Sequence, residues 1–134
     1  MTGREASCSC GAIRLRCNGD PVRVSVRHCL ERRKRSGSAL GAQARFLCQN
    51  VEFICGDPRV FERKGDDGGV ITQRFCGECG TTLWYSIDND PERIAATLGA
   101  FADPAFPPPA FSVYEERKHA WVAFNETAPI EHDW

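Results

Sequence analysis

Two short cysteine pairs carry the clearest chemistry in this chain. Cys8-Ser9-Cys10-Gly11 is a CxC followed by glycine, and Cys76-Gly77-Glu78-Cys79-Gly80 is a CxxC followed by glycine. Each reads as a turn between strands, where the glycine lets the backbone fold back and face its N–H groups toward the sulfurs. Four thiolates from two such knuckles supply the closed tetrahedral shell of a structural zinc. The CxxC has a second reading as a redox dithiol. That chemistry belongs at a strand-to-helix junction, whereas residues 70–75 and 81–87 on either side both read as strands. The CxC alone is open between metal ligation and unrelated thiols. Sixty-five residues separate the pairs, far more than in a zinc ribbon, so spacing does not bring them together.

A third constellation surrounds Cys29, within Arg27-His28-Cys29-Leu30-Glu31-Arg32-Arg33-Lys34-Arg35. Cationic neighbours favour a thiolate, which makes Cys29 the candidate catalytic residue. Arg27, Arg32 and Arg33 are candidate substrate-binding residues, since guanidinium forks grip carboxylates and phosphates. The opposing reading has the arginines filling a cavity mouth over an inert thiol. His28 with Cys29 makes only two metal ligands, and Cys48 or Cys55 would have to join them. Cys17, Cys48 and Cys55 lie in strand patterns and are expected as small buried hydrophobes. His119 and His132 have no ligand partners nearby in sequence and are expected at the surface. Trp84, Tyr85 and Trp121 read as core and edge aromatics.

The elements that position these residues are short strands. Ile13, Leu15 and Cys17 alternate with Arg14 and Arg16 and stop at Asn18-Gly19-Asp20-Pro21; Val22, Val24 and Val26 repeat the pattern. Further strands are predicted at 45–48, 51–55, 60–61, 70–75 and 81–87, with Gly-Asp and Asp-Asn turns between them. One short helix is predicted at 28–35, and the proline-rich 104–109 is a loop because proline cannot donate to a ladder. The fold class is mostly β, in one domain over 1–134.

Composition narrows the function further. Seventeen Lys+Arg against 18 Asp+Glu leave a net charge of −1, which excludes a globally basic nucleic-acid binder. The basic run of Arg27, Arg32, Arg33, Lys34 and Arg35 reads first as a solvated face, with a nucleic-acid-binding domain as the lesser alternative. No apolar run reaches the length of a membrane span. Eight cysteines in 134 residues fall below a disulfide scaffold, and no signal-peptide pattern precedes them, so a cytoplasmic protein with reduced thiols is expected.

The cysteine motifs also carry a resemblance. Cys8 to Arg14, His28-Cys29 with Arg33-Lys34-Arg35-Ser36-Gly37-Ser38, and Phe75 to Thr81 resemble the glutathione-dependent formaldehyde-activating enzyme family, which includes centromere protein V. The likeness continues through Thr97-Leu98-Gly99, Asp103-Pro104 and 118–121. It implies an Mss4-like fold of several twisted antiparallel sheets around one structural zinc on Cys8, Cys10, Cys76 and Cys79. It also implies a carbon–sulfur lyase that joins glutathione, or a related thiol, to formaldehyde. Catalytic members of the family hold a second zinc on a Cys-His-Cys-x-x-Cys segment. Of the three cysteine ligands the matching stretch here keeps only the middle one, Cys29, with Arg27 and Arg32 where the outer cysteines would stand. A guanidinium has no acceptor lone pair and cannot ligate a cation. The expectation is a zinc protein with its catalytic site degraded. The alternatives are a non-catalytic anion-binding or small-molecule module, or a metal-independent reactive thiol at Cys29.

Overall fold

The computed structural model describes residues 3–65, 68–125 and 129–134. Its elements run β1 (Gly3–Ser7), β2 (Arg14–Asn18), β3 (Arg23–Arg27), α1 (Leu30–Ser36), β4 (Gly41–Leu47), β5 (Val51–Cys55), β6 (Arg59–Lys64), β7 (Val70–Phe75), β8 (Thr82–Ile87), β9 (Asp90–Thr97), β10 (Phe111–Val113) and β11 (Glu131–His132). They form a three-stranded sheet, β1-β2-β5, and an eight-stranded sheet, β11-β10-β3-β4-β9-β8-β7-β6. Every pairing is antiparallel except those of β10, which runs parallel to β3 and to β11. The mostly β reading therefore holds.

Period-two patterning decides most of this. In β2 the arginines face out while Leu15 and Cys17 are fully buried, the pattern of a strand covered on one face. β3 departs from its alternating sequence. Ser25 is buried together with Val24 and Val26, because the sheet is covered on both faces here and Gln43 Nε2 donates to Ser25 Oγ at 2.8 Å. In β8, Leu83, Trp84 and Tyr85 are all buried, and consecutive residues point to opposite faces. Trp84 enters the main core; Tyr85 joins Ile71 and Ala95 on the other side.

The main core binds the two sheets together. It combines Ala6, Leu15, Cys17 and Val51 of the small sheet with Phe46, Leu83, Trp84, Ile94 and Ala96 of the large one. Side chains this buried contribute about 1.5–3 kcal/mol each for the large aliphatics and aromatics. Phe101 and Phe106, at 4.8 Å between centroids, close the end of the cluster.

The helix begins two residues later than the sequence suggests. Cys29 is its extended N-terminal neighbour, and Gly37 (φ 67°) ends it by donating its N–H to Arg33 O at 2.8 Å. Two cysteine expectations are corrected. Cys17 is buried, but Cys48 and Cys55 are exposed. Cys48 sits in a 3-10 turn after β4. Cys55 ends β5, an edge strand whose residues beyond Val51 are all exposed. Trp121 is likewise a surface residue, while Trp84 and Tyr85 are core.

Candidate metal centre and cationic cleft

Two hairpins make the two knuckles. β1 and β2 pair through Ala6↔Leu15 and Ser7↔Arg14, and the connection is pinned by Cys8 N–H to Ile13 O and by Gly11 (φ 78°) N–H to Cys8 O. β7 and β8 make the second, where Cys76 N–H donates to Thr81 O and Gly80 (φ 84°) N–H to Cys76 O. Cys8 and Cys76 belong to the core shared by both sheets, so packing the sheets brings the knuckles together. The Thr81 hydroxyl bridges them, accepting from Ser9 N–H at 3.1 Å and lying 3.4 Å from Cys79 Sγ.

The four sulfurs lie within 4.8 Å of one another. Cys10 Sγ is 3.6 Å from both Cys8 Sγ and Cys76 Sγ. A disulfide is about 2.05 Å long, so these are free thiols. A tetrahedral ion with metal–sulfur bonds of about 2.3 Å requires edges of about 3.8 Å, close to the two 3.6 Å separations at Cys10. Backbone N–H groups support the sulfurs, from Ile13 to Cys8 at 3.3 Å and from Cys79 to Cys76 at 3.5 Å. The Thr81 hydroxyl and N–H hold the Cys79 thiol down to about 5. The Cys10 thiol receives a lowering hydrogen bond from Ala12, yet the crowding by Cys8 and Cys76 pushes it up to about 12. One sulfur ionises readily and the next is resisted by its neighbours, which is the charge problem a divalent cation resolves. The donor set fits a metal ion.

A second site opens at the base of α1. A cleft of about 290 Å³ is lined by Arg27 of β3, by Cys29 just before α1 and by Arg32 and Lys34 of α1, together with Arg63, Tyr114 and Arg117. Arg32, only 5% exposed, donates Nη1 to Cys29 Sγ at 3.3 Å and Nε and Nη2 to Tyr85 Oη at 3.3 and 3.2 Å. Among the described residues Glu31 is the sole acid lining the cleft, and it pairs with Lys34 at 3.9 Å. Among the described residues neither Arg27, Arg32 nor Arg35 meets a carboxylate, and Arg27 Nε is buried without a partner. Burial first, then repulsion from Arg32, lowers the pKa of Arg27; burial likewise lowers that of Arg35. Arg32 keeps its proton more firmly than usual. Burial opposes this, but Tyr85 and Cys29 outweigh it. Chemically, this is a cleft of positive charge beside one buried thiol.

The remaining candidates separate. Arg33 does not line the cleft; its Nη1 lies 3.4 Å from His119 Nε2. His28 is fully buried and shares a 3.0 Å hydrogen bond between its Nε2 and Ser112 Oγ, away from Cys48 and Cys55, which line a different groove. His119 stacks on the exposed Trp121, and exposed His132 bonds the buried Glu115. Sequence reasoning missed Tyr85 as the partner of Arg32 and Thr81 as the bridge between knuckles. The period-two register of β8 placed Tyr85 on the helix side, but nothing in the sequence located α1 against that face.

The family profile described as glutathione-dependent formaldehyde-activating enzyme matches residues 3–117. The chain belongs to this family. Among solved structures, a protein from Rhodobacter sphaeroides aligns with a TM-score of 0.57 at 15% identity, covering 78% of this chain and 91% of that one. That likeness is one of fold. No curated protein matches the chain in sequence. This formaldehyde-activating family member has no helix, among its described residues, that is long and apolar enough to cross a membrane.

Proposed function

We propose that this family member carries one structural zinc on Cys8, Cys10, Cys76 and Cys79, and that its Cys29 cleft operates without a second metal. The cleft then serves as a binding site for an anionic thiol or thiol adduct of the glutathione class, with Arg27 and Arg32 meeting its carboxylates. One observation carries this reading. The Arg32 guanidinium sits 3.3 Å from Cys29 Sγ, in the space an ion bound to that sulfur would need. The zinc supplies a folding cross-link at the knuckles and takes no part in the cleft. The family's carbon–sulfur lyase reaction would need a metal centre that Arg27 and Arg32 do not furnish.

The same contact favours a second reading, a metal-independent nucleophilic thiol at Cys29. Alkylation of Cys29 near neutral pH at no more than a free thiol's rate would sink it. Nucleic acid does not belong to this proposal. The basic run does not present one face, since Arg32 is buried and Arg35 turns over the Tyr85 ring at 5.4 Å. The cysteine usage supports a reducing compartment such as the cytoplasm.

Metal analysis of purified protein tests the proposal. About one zinc per chain is expected, and replacing Arg27 and Arg32 together by cysteine should add uptake of a second. Two zincs in the unaltered protein would overturn it. Titration with glutathione, followed by NMR, should move the amides around Cys29, and Arg27→Gln should weaken that binding about tenfold.

A further inference from the structure

A groove of about 530 Å³ lies away from the Cys29 cleft, walled by the two sheets, and reaches Ile13 beside the first knuckle. Its volume falls in the range of small-molecule pockets. Ile13 and Phe53 approach from the small sheet; Trp84 and Ile94 approach from the large one. Phe53 stands 61% exposed among the described residues, with its ring 5.1 Å from that of Trp84. Among the described residues the charged lining is Arg14, Arg74 and Arg93, with no carboxylate.

These three arginines differ. Arg14 has Glu5 at 3.8 Å, and Arg93 has Asp90 at 4.0 Å. Arg74 meets no acid among the described residues. It donates Nη1 to Ser86 Oγ at 3.0 Å and rests 5.8 Å over the Trp84 ring, so its fork is held in place at the aromatic wall. An oriented guanidinium beside an exposed ring suits a ligand with a flat apolar body and one carboxylate, because the fork binds a carboxylate in two places while the ring covers the body. A neutral apolar ligand would leave the arginine charge unanswered. A phosphate would leave Phe53 uncovered.

We infer that this groove is a binding site for a small amphipathic carboxylate, seated on Phe53 with its carboxylate on Arg74. It shares no lining residue with the Cys29 cleft and contains none of the four metal-ligand cysteines.

The test uses 2-naphthoate on the full, metal-loaded chain, followed by NMR and by alkylation of Cys55, an exposed thiol in the groove wall. Saturable binding is expected, with shifts confined to the groove and Cys55 alkylation slowed severalfold. Phe53→Ser and Arg74→Gln should each weaken binding about tenfold, and Arg74→Lys should recover part of the loss. Neutral 2-naphthamide should bind about tenfold less tightly than 2-naphthoate. Arg27→Gln should change nothing here. Equal binding of the amide, unaltered binding by Arg74→Gln, or no saturation would overturn the inference. So would a dimer that Phe53→Ser dissociates while freeing Cys55, since a second copy would then occupy the groove. Circular dichroism and thermal melts of each variant separate lost binding from lost fold.

Discussion

Arg32 and Tyr85 form a buried pair in which one phenolic oxygen accepts two guanidinium hydrogen bonds, at 3.3 and 3.2 Å. Tyr85 is 1% exposed and Arg32 5%. The guanidinium also lies 5.0 Å from the Tyr85 ring centroid. In the absence of a carboxylate, the phenol and the Cys29 sulfur do what an acid would ordinarily do for a buried cation.

Tyr85→Phe is therefore expected to destabilise the protein by about 1–3 kcal/mol, since it leaves two buried N–H donors unanswered. Chemical denaturation measures this. In a double-mutant cycle the Arg32→Met, Tyr85→Phe protein should lose clearly less than the sum of the single losses. Strict additivity would show that the two side chains do not support each other.

Loss of the metal should be severe and separable from loss of packing. Cys76 is buried in the shared core, whereas Cys10 is exposed. Both Cys76→Ser and Cys10→Ser should abolish zinc retention during dialysis and lower the melting temperature by more than about 10 °C, because structural zinc binding contributes directly to folding. Cys10→Ser removes no core volume, so a melting temperature unchanged from that of the parent protein would dismiss the structural role. A strong chelator should lower the melting temperature of the parent protein to a similar extent.

Acid sensitivity should depend on His28. Burial lowers its pKa below the ordinary 6.5, with Lys118, Arg33 and His119 acting in the same direction and Glu115 opposing. The folded state keeps this ring neutral, while the unfolded chain protonates it below about pH 6.5. Stability from the neutral ring is thus complete above that pH and is lost as pH falls toward the folded pKa. Between pH 7.5 and 5.5 the parent protein should lose more unfolding free energy than His28→Gln. Parallel slopes would refute the assignment.

Gly56 links the edge strand to the first knuckle. Its φ is 99°, and a Cβ there would lie 2.5 Å from Ala12 O and 2.7 Å from Ile13 Cα, both backbone atoms. Ile13 N–H supports Cys8 Sγ, so displacing this turn also disturbs a ligand. Gly56→Ala should cost about 2 kcal/mol or more and weaken zinc retention. Gly37→Ala, at φ 67° with open space around it, should cost about 1 kcal/mol and leave the metal untouched.

Local patterns were legible because local sterics set them. The Leu15 and Cys17 alternation, the Asn18-Gly19 turn and the glycines after each cysteine pair all act within a few residues. Residue types also excluded Arg27 and Arg32 as ligands. The expectation failed for Cys55, since a strand pattern does not say whether its strand lies at a sheet edge, and for Cys48, since the strand stops one residue before it at Leu47 and the chain turns. Arg33 was grouped with its neighbours in sequence, but a helix of 3.6 residues per turn sends Arg32 inward and Arg33 toward His119.

Sequence alone determined two metal-competent knuckles and a cysteine flanked by arginines, because turn chemistry and ligand chemistry belong to the residues themselves. Tertiary structure decided that the knuckles meet. Sulfurs of Cys10 and Cys76 stand 3.6 Å apart only because two separate sheets bury one core between them. It also decided that Arg32 is buried on Cys29 and Tyr85, a contact between α1 and β8 whose partners lie 53 residues apart along the chain. Contacts at that range come from packing apolar faces, and many pairings of faces suit one pattern of alternation.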